Sequence, residues 1–210
     1  MSCKIWTKIC GIRDLKTALY VEKLGYDALG LNFYQNSKRY IFIDEAEIIV
    51  KKLTRIKKIG IFVNPSLEEI ELMDKILKLD YIQLHGTESP EFIKQLPNNK
   101  VIKAIPADQN LKNNIKLYEI PELFALLIDS PTKQFGGSGK KFNWENFTFI
   151  KNLTKRIIIA GGLNQDNFIS PLNILSPFGL DFNSGVEDNN GKKNMKLLFQ
   201  LKNKLEECDE

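Results

Sequence analysis

Residues 124–129 read Phe-Ala-Leu-Leu-Ile-Asp, and residues 156–162 read Arg-Ile-Ile-Ile-Ala-Gly-Gly. Each is a short aliphatic run with no polar residue alternating through it, ended by an acid or by a pair of glycines. A strand covered on both faces reads this way. Such strands belong to parallel sheets, whose crossover connections lay helices over the faces. Working outward, six further blocks have the same character: Ile5–Cys10, Ala28–Phe33, Lys58–Val63, Tyr81–Leu84, Val101–Ile105 and Gly179–Phe182.

Helical patterns lie between the blocks. Ser66-Leu67-Glu68-Glu69 has the S-x-x-E form of a capping box and is followed by Ile70, Met73, Ile76 and Leu77 at helical spacing. Ser89-Pro90-Glu91 supplies an N-cap, a proline at the first helical position and an early acid. Asp44 precedes Ala46, Ile49, Val50 and Leu53, and Arg13 or Asp14 opens a segment that runs to Leu24 and stops at Gly25. The last pattern runs from Met195 to Leu205, whereas Asn and Lys dilute the periodicity of 106–121. Eight strand blocks in 210 residues leave about 26 residues per unit, enough for one strand, one helix and two short loops. Repeated β–α units force parallel pairing with right-handed crossovers. An open doubly wound sheet also alternates, but no G-x-G-x-x-G follows the first strand. The expected fold is α/β, a single (β/α)8 barrel, with residues 1–210 forming one catalytic domain.

Composition narrows the function. Thirty Lys+Arg against 26 Asp+Glu leave a charge of +4 spread along the chain, without the concentrated basic stripe of a nucleic-acid binder. Cys3, Cys10 and Cys208 form no C-x-x-C pair, and His85 is the single histidine, so neither a disulfide framework nor a structural zinc site is expected. No apolar run approaches the roughly 20 residues of a membrane span, and the N-terminus lacks a secretory apolar core; a cytoplasmic protein is expected.

In such a barrel the reacting groups sit at the C-terminal ends of the strands. Cys10 ends the first block, and period-two alternation places Lys8 on its face, where an ammonium favours the thiolate. The competing reading is a buried cysteine packed as a small hydrophobe. Asp129 closes the sixth block, either as a cap or as a carboxyl that keeps its proton in a partly apolar mouth and serves as general acid. Gly161-Gly162 and Ser184-Gly185 follow the seventh and eighth blocks, where such barrels bind phosphate with backbone N–H groups at a helix N-terminus. Arg39 suits a substrate carboxylate, and Lys38-Arg39 is otherwise a solvated loop pair; the position of His85 suggests binding, although a hydrogen-bonded structural histidine is the commoner case. Gly136-Gly137-Ser138-Gly139-Lys140 is no nucleotide P-loop, because position 134 is Gln and Lys141 replaces the Ser/Thr.

Taken in order, the chain resembles the phosphoribosylanthranilate isomerases of tryptophan biosynthesis. The motifs are Lys8-Ile9-Cys10-Gly11, Ser37-Lys38-Arg39-Tyr40, residues 60–64 (GIFVN), Gln83-Leu84-His85-Gly86, Asp129-Ser130 with Thr132, residues 136–144 (GGSGKKFNW), residues 160–164 (AGGLN) and residues 183–187 (NSGVE). The resemblance implies a cofactor-free, metal-free Amadori rearrangement with Asp129 as general acid and Cys10 as general base. It further implies that Arg39 holds the anthranilate carboxylate, that Gly161, Gly162, Asn183, Ser184 and Gly185 hold the phosphate, and that His85, Gly137, Ser138 and Gly139 contact the substrate. A phosphorylated small molecule is the implied partner, with no nucleic acid and no membrane, in a monomer or homodimer. The chain departs from the family pattern at Lys141, Asn143 and Asn183, where Thr, Asp and Ser are usual, and at Asn190-Gly191-Lys192-Lys193-Asn194, where Pro-Gly-x-Lys-Asp is usual. The alternatives are a non-catalytic barrel that binds a phosphorylated metabolite, and another phosphosugar barrel enzyme of the pathway such as indole-3-glycerol-phosphate synthase, whose strand-end lysine and glutamate are not found.

Overall fold

The chain was analysed as a computed structural model, described for residues 5–129, 144–153 and 155–209. Eight strands close into one barrel in sequence order: β1 (Trp6–Ile9), β2 (Ala28–Asn32), β3 (Lys57–Phe62), β4 (Tyr81–Leu84), β5 (Val101–Pro106), β6 (Leu123–Asp129), β7 (Arg156–Ala160) and β8 (Gly179–Phe182). All neighbouring pairs are parallel, and β1 closes on β8 with Lys8 opposite Asp181. The strands fall on the eight aliphatic blocks, shifted by at most a residue at several ends.

The connecting helices are α1 (Leu15–Lys23), α2 (Ile43–Val50), α3 (Leu67–Leu77), α4 (Pro90–Ile93), α5 (Leu111–Leu117), α6 (Ile169–Leu175) and α7 (Met195–Asp209). Side-chain caps start four of them. Asp14, Ser66, Ser89 and Asn194 accept from the backbone N–H of Thr17, Glu69, Phe92 and Leu197, each satisfying an otherwise orphaned donor. Three expectations change. Asp44 does not cap α2; the helix starts one residue before it, and Glu45 Oε2 accepts instead from Phe42 N–H at 3.4 Å. The Ser-Pro-Glu start yields only the four residues of α4. Conversely, 106–121 does form a helix, α5, because Leu111 and Ile115 bury one face despite the polar dilution. Between β6 and β7 the helical position is taken by a 3-10 helix, Trp144–Asn152, broken at Phe147.

Strand alternation divides the core into two parts. One set of side chains, including Ile9, Leu29, Leu31, Leu126, Ile128, Ile157 and Ile159, packs outward against the helices. The other set, including Ala28, Ile59, Ile102, Leu127 and Ile158, fills the barrel. At the N-terminal end the filling is aromatic: Tyr81 stacks on Phe124 at 4.1 Å, and the Arg156 guanidinium lies over Phe124. Toward the C-terminal end the filling turns polar, with Lys8, Gln83 and Asp181 all buried. Among the described residues no helix is long and apolar enough to cross a membrane.

Candidate active site

The polar upper layer opens into a cavity of about 410 Å³ at the C-terminal end of the strands. Cys10, Asn32, Arg39, His85, Asp129, Gly161, Gly162, Asp181, Asn183 and Ser184 all contribute to its wall. The alternation that sends Ile9 and Leu29 outward sends Lys8, Cys10, Gly30 and Asn32 inward. Gly30 keeps this layer open, since a Cβ there would stand 3.1 Å from Cys10 Sγ and 2.8 Å from Ile61 Cδ1.

Beneath Cys10 lies a buried ion pair. Lys8 Nζ donates to Asp181 Oδ2 at 2.7 Å, as their paired register on β1 and β8 dictates. Burial works against the Lys8 charge, but the Asp181 carboxylate and the neighbouring thiol outweigh it and hold the ammonium above the ordinary lysine range. For Cys10 the balance goes the other way. Burial pushes the thiol up, and the pull of Lys8 toward the thiolate only partly offsets it. The expected ammonium is therefore present, while burial biases the sulfur toward the thiol.

Asp129 sits in a mixed wall, with Ile61 and Ala160 among its apolar members. Its carboxylate is one-third exposed and lies 3.3 Å from His85 Nε2. Gln83 Nε2 is 3.0 Å from His85 Nδ1; with the Gln83 amide donating there, the ring proton resides on Nε2 and points at Asp129. The loop carrying His85 is held from below by Lys103, whose Nζ bonds Gly86 O at 2.7 Å and Glu88 Oε2 at 2.9 Å, while Glu88 also accepts from Gly86 and Asn64 N–H.

Arg39 reaches over the cavity from the loop after β2, its stem seated on Gly11: a Cβ there would meet Arg39 Cδ at 2.7 Å. Glu187 Oε1 and Oε2 accept from Arg39 Nε and Nη2, both at 2.7 Å. Lys193 Nζ in turn donates to Glu187 Oε1 at 2.8 Å and to Asn183 O and Oδ1 at 2.9 Å.

A family model described as N-(5'-phosphoribosyl)anthranilate (PRA) isomerase matches residues 7–204. The chain belongs to the phosphoribosylanthranilate isomerase family. The isomerase of Thermotoga neapolitana is 37% identical over 199 residues, which cover 92% of this chain and 95% of that one. Among solved structures, the Thermotoga maritima phosphoribosyl anthranilate isomerase superposes with a TM-score of 0.85 at 31% identity, covering 97% of this chain and 99% of that one. A phosphoribosyl anthranilate isomerase in complex with reduced 1-(o-carboxyphenylamino)-1-deoxyribulose 5-phosphate does so with a TM-score of 0.83 at 28% identity and the same coverage.

Most of the positions singled out by the isomerase resemblance meet on one cavity: Cys10, Arg39, His85, Asp129, Gly161, Gly162, Asn183 and Ser184. Gly137, Ser138 and Gly139 lie outside the described residues, as do Lys141 and Asn143. Gly185 does not line the cavity but packs against Leu163 and Asn164, leaving no room for a Cβ. The helix starts expected after the glycine loops are short in one case and set back in the other. Ser184–Val186 is a single 3-10 turn, and α6 begins only at Ile169, seven residues beyond Gly162. Asp181, Glu187 and Lys193 were not singled out from the sequence. Alternation along β8 from Asn183 back to Asp181 was the available signal for the first; no local pattern ties the other two to Arg39.

Proposed function

We infer that this member of the phosphoribosylanthranilate isomerase family catalyses the cofactor-free rearrangement of N-(5'-phosphoribosyl)anthranilate to 1-(2-carboxyphenylamino)-1-deoxyribulose 5-phosphate in tryptophan biosynthesis. Family membership over nearly the whole chain supports the reaction, and the shared cavity of Cys10 and Asp129 is the observation that carries the assignment of roles. Asp129 protonates the furanose ring oxygen as the C1–O bond breaks, and the anthranilate nitrogen lone pair forms the C1=N bond. The Cys10 thiolate then takes the proton from C2, whose electrons form C1=C2 and return a pair to nitrogen. The resulting enolamine gains a proton at C1 and loses one from the C2 hydroxyl, giving the ketone, and proton return to Asp129 from Cys10 or water completes an isomerisation.

Arg39 binds the anthranilate carboxylate, a guanidinium fork on a planar acceptor. Gly161, Gly162, Asn183 and Ser184 form the phosphate end, with Gly185 behind them fixing the turn against Leu163 and Asn164, and His85, Gly137, Ser138 and Gly139 make further substrate contacts. The working unit is one catalytic domain over residues 1–210, as a monomer or homodimer in the cytoplasm, and its partner is this phosphorylated small molecule. Turnover of freshly prepared substrate, followed by loss of anthranilate-type fluorescence, tests the reading. Saturable binding without turnover would assign the barrel to a metabolite binder instead.

A further inference from the structure

Arg39 uses its Nε and one Nη2 hydrogen on Glu187, while Nη1 has no hydrogen-bond partner among the described residues. A guanidinium has two forks, Nε/Nη2 and Nη1/Nη2. Here Glu187 occupies the first and leaves the second. The carboxylate is not itself free to follow Arg39, because Lys193, almost fully buried, holds Oε1 from the other side and is anchored on both oxygens of Asn183. Gly11 removes the remaining freedom by letting the Arg39 stem lie directly on the backbone. The charge count matters as well. One carboxylate stands between two cations, of which Arg39 is the one that lines the cavity, while burial works against the charge on Lys193.

We propose that Glu187, braced by Lys193, is a positioning residue that pre-orients Arg39 so that its Nη1/Nη2 fork is ready for the carboxylate of the substrate. The inference rests on the reading of Arg39 as the carboxylate ligand. Burial raises the cost of charge on Glu187, but hydrogen bonds from Arg39 and Lys193 outweigh it and hold its carboxyl below the usual range, so the brace stays charged in the neutral range. A long arginine left to wander would have to be ordered at each binding event. A fixed one has already lost that rotamer freedom in the folded protein, and the saving appears as affinity.

The test compares two ligands: reduced 1-(o-carboxyphenylamino)-1-deoxyribulose 5-phosphate and its counterpart without the carboxyl group, measured by calorimetry on the full chain. Glu187→Gln and Glu187→Ala are expected to weaken the carboxylated ligand by roughly three- to tenfold, the worth of ordering one long side chain, while leaving the other unchanged. KM should rise with little change in kcat. Glu187→Asp, which keeps the charge but shortens the reach to Arg39 and leaves Lys193 on Asn183, is expected to give the same selective loss and serves if the other Glu187 variants fold poorly. Equal weakening of both ligands, or tighter binding of the carboxylated one, overturns the proposal. No change in the Glu187 variants while Arg39→Ala loses the carboxylated ligand selectively also overturns it and leaves the carboxylate reading standing. If Arg39→Ala does not discriminate between the ligands, that reading fails and takes the proposal with it.

Discussion

His85 Nε2 faces Asp129 Oδ2 at 3.3 Å, across the gap between the ends of β4 and β6. The histidine holds the carboxyl in place from one side, and its own ring is fixed from the other by Gln83. When Asp129 carries a proton, its O–H needs an acceptor that the Nε2–H does not provide, and the furanose ring oxygen fills that role in the proposed reaction. Asp129→Asn is therefore expected to lower kcat by about 10²–10⁴, the usual worth of a general acid. His85→Asn removes an orienting hydrogen bond of about 1.5 kcal/mol, expected to cost about tenfold in kcat, and with it the ring's substrate contact, which should show in KM. Steady-state turnover checks both, and a histidine variant more damaged than Asp129→Asn would reverse the assignment.

In the proposed reaction Cys10, as the base, carries a pH dependence of its own. Its thiol is held above the ordinary value by burial, against the pull of Lys8, and only the thiolate accepts a proton from C2. Read on the residual activity of Asp129→Asn, where only the thiol titrates, the reactive fraction grows as pH rises, and kcat/KM, which reports the free enzyme, should climb until it passes an inflection above the ordinary thiol pKa of about 8.5. Lys8→Met removes the favourable charge and should move the inflection further into the alkaline range. A pH profile of kcat/KM decides. An inflection below that of a free thiol would mean that Lys8 wins over burial. Cys10→Ala should lower kcat by about 10²–10⁴ at every pH.

The Lys8–Asp181 pair carries a stability prediction of its own. Both groups are buried, so removing one partner strands the other charge in the barrel. Asp181→Asn is expected to lower unfolding stability by roughly 3–5 kcal/mol, whereas Lys8→Met with Asp181→Leu should recover much of the loss because no charge remains to be desolvated. Urea unfolding of the three proteins measures this. A single-variant cost below about 1 kcal/mol would show that water reaches the pair.

These residues also show what the sequence could disclose. The aliphatic runs of β6 and β7 located their strands because burial on both faces leaves a one-dimensional mark. Alternation then put Cys10 over Lys8 and Asp129 at a strand end. The pKa balance at Cys10 was not legible, because desolvation depends on everything packed around the sulfur, not on the neighbour two residues away. Asp129 was expected in a partly apolar mouth; Leu127 shares its inward face of β6 while Leu126 and Ile128 point into the helix-facing core, and what one strand's sequence could not disclose is that His85 from another strand meets it. Glu187 and Arg39 lie 148 residues apart, and no periodicity links them.

The loop that presents His85 depends on a second buried charge cluster, and its loss should be felt in both stability and turnover. Lys103 and Glu88 are each about 2% exposed at the side chain and 2.9 Å apart. Glu88 Oε1 ties Asn64 N–H, and both of its oxygens tie Gly86 N–H, so one side chain joins the loops after β3 and β4. Glu88→Ala strands the Lys103 ammonium and frees those backbone donors together, for an expected cost of roughly 3–5 kcal/mol. Lys103 is already pulled below the ordinary lysine range by burial, with Glu88 as the main opposing influence. Without Glu88 its pKa falls further, so raising the pH sheds the unpaired charge and should restore part of the lost stability. Wild type, whose Lys103 keeps its partner and is depressed less, should gain less in this way, and only nearer the ordinary lysine range. Urea unfolding at a series of pH values, read against kcat in the same buffers, separates the stability loss from the looser placement of His85. A variant that unfolds like wild type throughout would show that the loop is held by its backbone alone.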